Sequence, residues 1–239
     1  MSRDLWTRRP WCVAHRGAVT KAPENTLKSF ALAMQLGADM IELDVRLSKN
    51  RRVVVIHDAE LDRTSDGTGL VRSYTLEELK RFDFGDGERI PTLEEVLELV
   101  RDKMLINIEI KEPDMAREVV DIVERYNAKE KVVISSFIHP VLAEIKKLNP
   151  EIKIGLLFVH RPIDPAKFAK EVNADFLHPY YELVDKSFVE QSHKQNVGVL
   201  VWTVDGESDI KKMFEVGVDG VITNDVETCL KVRKNIFGF

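Results

Sequence analysis

The sequence predicts a (β/α)8 TIM barrel with a small inserted subdomain after the second strand. Three observations lead there. Eight apolar strand-like runs alternate with helical segments along the chain, starting near Trp11, Met40, Met104, Val132, Ile152, Asp175, Val197 and Gly220. The length of 239 residues suits one such barrel. Polar and aromatic residues collect where the strands end, which is where barrels of this kind place their chemistry. A doubly wound open sheet is the second choice of fold.

The first run, Trp11-Cys12-Val13-Ala14, ends in His15-Arg16-Gly17. Pro23-Glu24-Asn25-Thr26 then opens a helix, with proline and an acid expected in its first turn, and Gly37 closes it. Met40 to Arg46 is the second strand. Ser48-Lys49-Asn50-Arg51 is a turn, and Val53 to Ile56 returns into His57-Asp58. Residues 46–90 form the insertion, as a hairpin, a polar Gly-rich loop and a short helix from Thr75 to Phe82. Its apolar content looks too small to build a core, so 1–239 is read as a single domain. Beyond it Thr92 caps a helix with Glu95 at the capping-box position. From there strand and helix alternate to a last helix starting at Val226.

The composition is 44% hydrophobic and 31% charged, which fits a globular protein with a sizeable core. A formal net charge of −5 gives no basic field for nucleic acid. No apolar run is long enough to span a bilayer, and no signal peptide is seen, so a cytoplasmic location is expected. The two cysteines, Cys12 and Cys229, sit in apolar settings and are expected to be reduced core residues.

The second strand organises the site. Met40-Ile41-Glu42-Leu43-Asp44-Val45-Arg46 puts Glu42 and Asp44 on one face. Strands joined through helices are covered on both faces. Two carboxylates on a covered face repel unless a cation separates them or one takes a proton. The third strand repeats the pattern with Asn107, Glu109 and Lys111 on one face. Glu42, Asp44 and Glu109 make a hard oxygen set suited to Mg2+, Ca2+ or Mn2+ rather than zinc. The same acids would also make a buried salt-bridge cluster with Lys111 or Arg16. The two arrangements differ in whether a place stays open for substrate oxygens.

His15 and His57 come from different loops and can converge over one mouth. An imidazole pair near neutral pH is what P–O cleavage needs, one taking a proton and one giving it. Arg16 and Lys111 would complement a phosphate. His139, His160 and His193 read as surface or cap residues, and His178 as either strand end or site. Asp66-Gly67-Thr68-Gly69 reads as a plain turn.

His15-Arg16-Gly17, Pro23-Glu24-Asn25-Thr26, Glu42-Leu43-Asp44-Val45, His57-Asp58, Arg63-Thr64, Pro91-Thr92-Leu93, Glu109-Ile110-Lys111, Ser136-Phe137, Trp202-Thr203-Val204 and Gly217-Val218-Asp219-Gly220 occur in that order. Together they resemble the glycerophosphodiester phosphodiesterases across residues 11 to 226. The resemblance implies a barrel that hydrolyses small-molecule glycerophosphodiesters to glycerol 3-phosphate and an alcohol. It implies Glu42, Asp44 and Glu109 as ligands of a divalent metal ion, and His15 and His57 as the catalytic acid/base pair. It implies Arg16 and Lys111 as phosphate contacts, Phe137 and Trp202 as the wall beside the glycerol, and Glu24 and Asn25 as supports. Departures occur at Ser48-Lys49-Asn50, at Asp205 where asparagine is common, and at Asn224-Asp225-Val226 where Thr-Asp-x-Pro endings are frequent. They touch turns and are expected to change the polarity of the mouth rather than catalysis. Two alternatives accompany this reading: a lysophospholipase D acting on monoacyl lipids, with Tyr180-Tyr181 and Phe82/Phe84 supplying an apolar groove, and an idle barrel that only binds a phosphorylated ligand.

Overall fold

The computed structural model describes Trp6, residues 10–101 and residues 103–238. The strands among them are β1 (Trp11–His15), β2 (Met40–Leu47), β3 (Val53–Val55), β4 (Leu105–Ile110), β5 (Val132–Ser136), β6 (Lys153–Phe158), β7 (Phe176–Pro179), β8 (Gly198–Val201) and β9 (Gly220–Thr223). The helices are α1 (Leu27–Leu36), α2 (Leu76–Leu79), α3 (Leu93–Val100), α4 (Ala116–Arg125), α5 (His139–Leu148), α6 (Pro165–Lys170), α7 (Lys186–His193), α8 (Glu207–Val216) and α9 (Val226–Phe237). All strands but β3 pair in parallel, and β1 pairs with both β9 and β2. That double pairing closes the sheet into a barrel; an open sheet would leave two unpaired edges.

β3 explains how His57 reaches the mouth. β1 accompanies β2 only as far as His15 opposite Glu42. β3 then takes that side of β2, running antiparallel with Val55 opposite Val45. Ile56 N donates to Asp44 O at 2.9 Å, so the chain heads back towards the end of β1 as it reaches His57.

The alternation along β2 sorts its side chains. Ile41, Leu43 and Val45 join the large cluster between strands and helices, with Phe30 of α1 and Leu93 of α3. Met40 belongs to the smaller cluster with Trp11, Val13, Leu105, Val133 and Leu200. These share the inward parity, so Glu42 and Asp44 project into the barrel above them. Cys12 of β1 meets Cys229 of α9, and both are free and fully buried.

Helix boundaries follow local chemistry. Thr92 and Glu95 form the expected capping box of α3. α1 begins later than the proline and acid suggest: its cap is Thr26, and its first turn contains no acid. Glu24 is left in the preceding loop, where it turns towards cations. The stretch after β3 also differs from expectation. Ile56, Leu61, Val71, Leu79, Phe84 and Ile90 close on Val54 as a buried cluster of their own. A few scattered apolar residues suffice because β3 and the loop before α3 supply the other side. Among the described residues, no helix is long and apolar enough to cross a membrane.

Candidate active site

Glu42 and Asp44 of β2 and Glu109 of β4 meet at the C-terminal mouth of the barrel. Asp44 and Glu109 are register partners on neighbouring parallel strands. Each of the three offers a carboxylate oxygen within 4.8 Å of the others. Asp44 is fully buried, Glu42 is 2% exposed and Glu109 9%. Burial and the Asp44 charge push Glu42 up to about 8 and Glu109 up to about 7. Burial acts the same way on Asp44, yet Lys111, Arg16, His57 and a hydrogen bond from Asn25 outweigh it and keep Asp44 ionised.

Two cations compensate part of this charge. Lys111 Nζ lies 3.0 Å from Asp44 Oδ1 and also binds Glu109 Oε1. Arg16 Nε lies 3.1 Å from Asp44 Oδ2, and its backbone N donates to Glu42 Oε2 at 3.0 Å. Both features foreseen from sequence are therefore present, a salt-bridged cluster and a convergent acid set. Glu42 Oε1 distinguishes them: it is buried with no hydrogen-bond partner. A salt-bridge cluster alone leaves that oxygen unsatisfied, at a cost of about 1–3 kcal/mol. Three hard carboxylates, one with an orphaned oxygen, fit a cation.

The loop after β1 is bent to deliver these contacts. Arg16 and Asn25 both take positive φ, 56° and 57°, and Asn25 N donates to Arg16 O at 3.0 Å. Gly17 packs on α1 so closely that a Cβ would stand 2.3 Å from Ser29 Oγ. Asn25 Nδ2 donates to Asp44 Oδ2 at 2.9 Å, and Arg16 Nη1 donates to Glu24 Oε1 at 2.9 Å.

His15 and His57 line the same cavity, of about 110 Å³, together with Arg16, Glu42, Glu109 and Lys111. Each ring is held by its Nδ1. His15 Nδ1 is 2.8 Å from Asn224 Oδ1, and His57 Nδ1 is 2.6 Å from Asp58 Oδ1. Both acceptors favour a proton on Nδ1 and leave Nε2 for the cavity; Nε2 of His15 is 3.9 Å from Glu42 Oε2. Burial, then the neighbouring Arg16, pushes His15 below the ordinary imidazole range. Burial does the same to His57, with Lys111 and Arg16 adding to it. Asn224 is held in turn by Asp205, which accepts from its Nδ2 and its backbone N, each at 2.8 Å. The two departures that looked like plain turn changes therefore stand directly behind His15.

Phe137 and Trp202 wall the cavity, their rings meeting edge to face at 5.4 Å. Trp202 Nε1 donates to His178 O at 2.8 Å, which fixes the indole. Tyr180 stacks at an angle on Trp202 and on Tyr181, extending the aromatic rim. His178 itself points into the barrel, fully buried, over Gly155, where a Cβ would stand 2.5 Å from Nε2. His160 is exposed, and His139 Nε2 meets Leu157 O at 2.9 Å at the start of α5. Gly67 of the Gly-rich turn lies against the Phe82 ring.

A larger cavity, about 660 Å³, opens at the opposite end of the barrel. Its acids hold strand starts: Asp175 Oδ2 takes Ile154 N and Lys146 Nζ, each at 2.9 Å, and Asp219 Oδ2 takes Val199 N at 2.7 Å and His193 Nε2 at 2.8 Å. The two imidazoles and the acid cluster stand at the smaller cavity, not at this one.

The acids, the imidazoles and the two cations expected from the sequence stand together. Asn224, Asp205, Asp58 and Arg63, to which the sequence assigns no task, stand behind them. The adjacency of Asp58 to His57 was the one available signal.

Fold and site together define a (β/α)8 barrel whose mouth joins an acidic cluster to two oriented imidazoles. Residues 15–228 match the model of the glycerophosphoryl diester phosphodiesterase family, and the chain belongs to that family. It is 46% identical over 236 residues to a glycerophosphodiester phosphodiesterase of Caldanaerobacter subterraneus subsp. tengcongensis, covering 93% of this chain and 97% of that one. Among solved structures it resembles an Oleispira antarctica phosphodiesterase in complex with the product sn-glycerol-3-phosphate, with a TM-score of 0.89 and 30% identity over 95% of this chain and 98% of that chain. A Thermotoga maritima glycerophosphodiester phosphodiesterase matches with a TM-score of 0.83 and 35% identity, covering 95% and 99% of the two chains.

Proposed function

We propose that this protein hydrolyses glycerophosphodiesters to glycerol 3-phosphate and an alcohol, in the cytoplasm, with His15 and His57 as its acid/base pair. The observation that carries the reading is one small cavity lined by both imidazoles and by Glu42 and Glu109, whose carboxylates converge with that of Asp44. The activity of the relatives and the product named in the Oleispira structure agree with it. Glu42, Asp44 and Glu109 would hold a divalent cation, Mg2+, Ca2+ or Mn2+, which when bound supplies Lewis-acid polarisation of a phosphoryl oxygen.

The chain's own residues do the rest. Arg16 and Lys111 face the cavity as cations and offer donors to the remaining phosphate oxygens. Phe137 and Trp202 pack against the glycerol and keep water from that side. One imidazole accepts the proton of the attacking hydroxyl, from water or from the glycerol itself. The other, as imidazolium, gives a proton to the departing alcohol oxygen. Because burial favours the neutral ring at both positions, the donor takes up its proton from solvent before the alcohol departs. Glu24 and Asn25 support the site by holding Arg16 and Asp44. The cavity is small, about 110 Å³, so the head group would project over the rim.

The test is release of glycerol 3-phosphate from glycerophosphocholine and glycerophosphoethanolamine. No release with any restored divalent cation would refute the proposal. A second reading, turnover of monoacyl lipids, draws support from the rim: Phe137 is 45% exposed and packs on Trp202, which Tyr180 meets in turn. Faster turnover of a lysophospholipid than of glycerophosphocholine would favour it.

A further inference from the structure

Arg63 stands in the loop after β3, and its guanidinium grips two carboxylates at once. Nη1 and Nη2 donate to Glu24 Oε2 and Oε1, each at 2.8 Å. Nε and Nη2 donate to Asp58 Oδ2 at 2.6 Å and Oδ1 at 3.1 Å. Both acids have a second partner on the cavity. Glu24 Oε1 takes Arg16 Nη1 at 2.9 Å, and Asp58 Oδ1 lies 2.6 Å from His57 Nδ1. Arg16, Glu24, Arg63, Asp58 and His57 therefore form one unbroken chain from the phosphate-facing cation to the imidazole.

We propose that Arg63 is a positioning residue for the reaction, one planar fork that fixes Arg16 through Glu24 and His57 through Asp58. The proposal rests on the roles given above to Arg16 and His57 and deepens them. Arg63 does not line the cavity, so it acts through its two acids. Its loop is anchored for the purpose: Leu61 is fully buried in the cluster of the inserted stretch, and its N donates to Gly69 O at 2.9 Å. Ser65 N returns to Leu61 O at 3.0 Å, closing a turn with Arg63 at its crest. This gives the insertion a task in the reaction, namely to carry a guanidinium to the back of both groups.

The choice of side chain follows from geometry. Only a guanidinium offers enough donors in one plane to hold two carboxylates side by side; an ammonium holds each as a point charge. Without the fork, Glu24 and Asp58 are two anions on one rim, free to turn away from Arg16 and His57. With it, Asp58 stays ionised, held far below the usual carboxylate range by Arg63 and then by His57. Asp58 thus remains an acceptor for His57 Nδ1 at any working pH. A displacement of about 1 Å in a catalytic group costs on the order of 100-fold in rate. The same network as a mere surface ion pair would add little to stability and nothing to the rate.

The experiment compares kcat and KM for glycerophosphocholine, with saturating divalent cation, in wild type, Arg63→Ala, Arg63→Lys, Asp58→Asn and His57→Ala. Arg63→Ala should lose roughly 10- to 100-fold in kcat and gain several-fold in KM. Its melting temperature should stay near wild type, because the Arg63 side chain is 48% exposed. Arg63→Lys should recover little, and added guanidinium ion should restore part of the kcat of Arg63→Ala. Wild-type kcat and KM in Arg63→Ala, beside an inactive His57→Ala, would overturn the proposal and leave the functional reading intact. A loss that tracks only a lowered melting temperature, with no guanidinium rescue, would also overturn it. Wild-type turnover by His57→Ala would remove the functional reading and this proposal with it.

Discussion

Asn224 Oδ1 meets Nδ1 of His15 at 2.8 Å, although 209 residues separate the two in the chain. The contact exists because β1 and β9 are neighbours in the closed barrel, with Ala14 opposite Thr223. A neutral amide accepts from the imidazole, and Asp205 holds that amide from behind. If this contact sets the ring, Asn224→Ala should lower kcat by roughly 10- to 100-fold, with KM for glycerophosphocholine changing little. Steady-state kinetics checks it; an unchanged kcat would show that the cavity walls alone orient His15.

The imidazoles themselves should matter more. His15→Ala and His57→Ala should each cut kcat by roughly 10²–10⁴-fold while leaving the fold intact by circular dichroism. Near-normal turnover in either variant would remove that ring from the chemistry.

The acid cluster should trade stability for function. Glu42 and Glu109 crowd Asp44 on covered strands, and burial already drives both towards their protonated forms. Glu109→Gln should therefore keep or raise the melting temperature in the absence of metal, while weakening divalent-cation binding measured by calorimetry. A large fall in metal-free stability would mean that the Lys111 contact to Glu109 outweighs the repulsion.

His178 predicts an acid-sensitive fold. Burial pushes it from the ordinary 6.5 down to about 3. Between those values the unfolded chain binds a proton that the folded chain refuses. Its contribution is thus fully present above pH 6.5 and is lost as pH falls towards 3, by at most roughly 5 kcal/mol. His178→Leu should flatten the fall in denaturant midpoint between pH 7 and pH 4. Gly155→Ala should cost about 1–3 kcal/mol, since the new methyl would meet the His178 ring.

Much of this was legible in the sequence, for reasons that differ by residue. Glu42, Asp44 and Glu109 were visible because strand parity is local: two residues along a strand share a face, whatever the rest of the chain does. The capping box at Thr92 and Glu95 is local too. Eight alternating units gave the barrel, but only the pairing of β1 with β2 and β9 closes it. Arg63 and Asn224 were not legible as site partners. Their contacts to Glu24 and His15 span 39 and 209 residues, so standing in or beside a motif did not show what they hold. The cluster around Leu61 was missed because its members are scattered from Val54 to Ile90 with no periodicity that marks a shared face.

The most direct test of the central claim is a glycerol 3-phosphate release assay on glycerophosphocholine, run after EDTA treatment and again with Mg2+, Ca2+ or Mn2+ restored, on wild type and Asp44→Asn. The account predicts activity that EDTA abolishes, that one of these cations returns to wild type, and that none returns to the variant. Full activity in EDTA, or a variant as active as wild type, would contradict it.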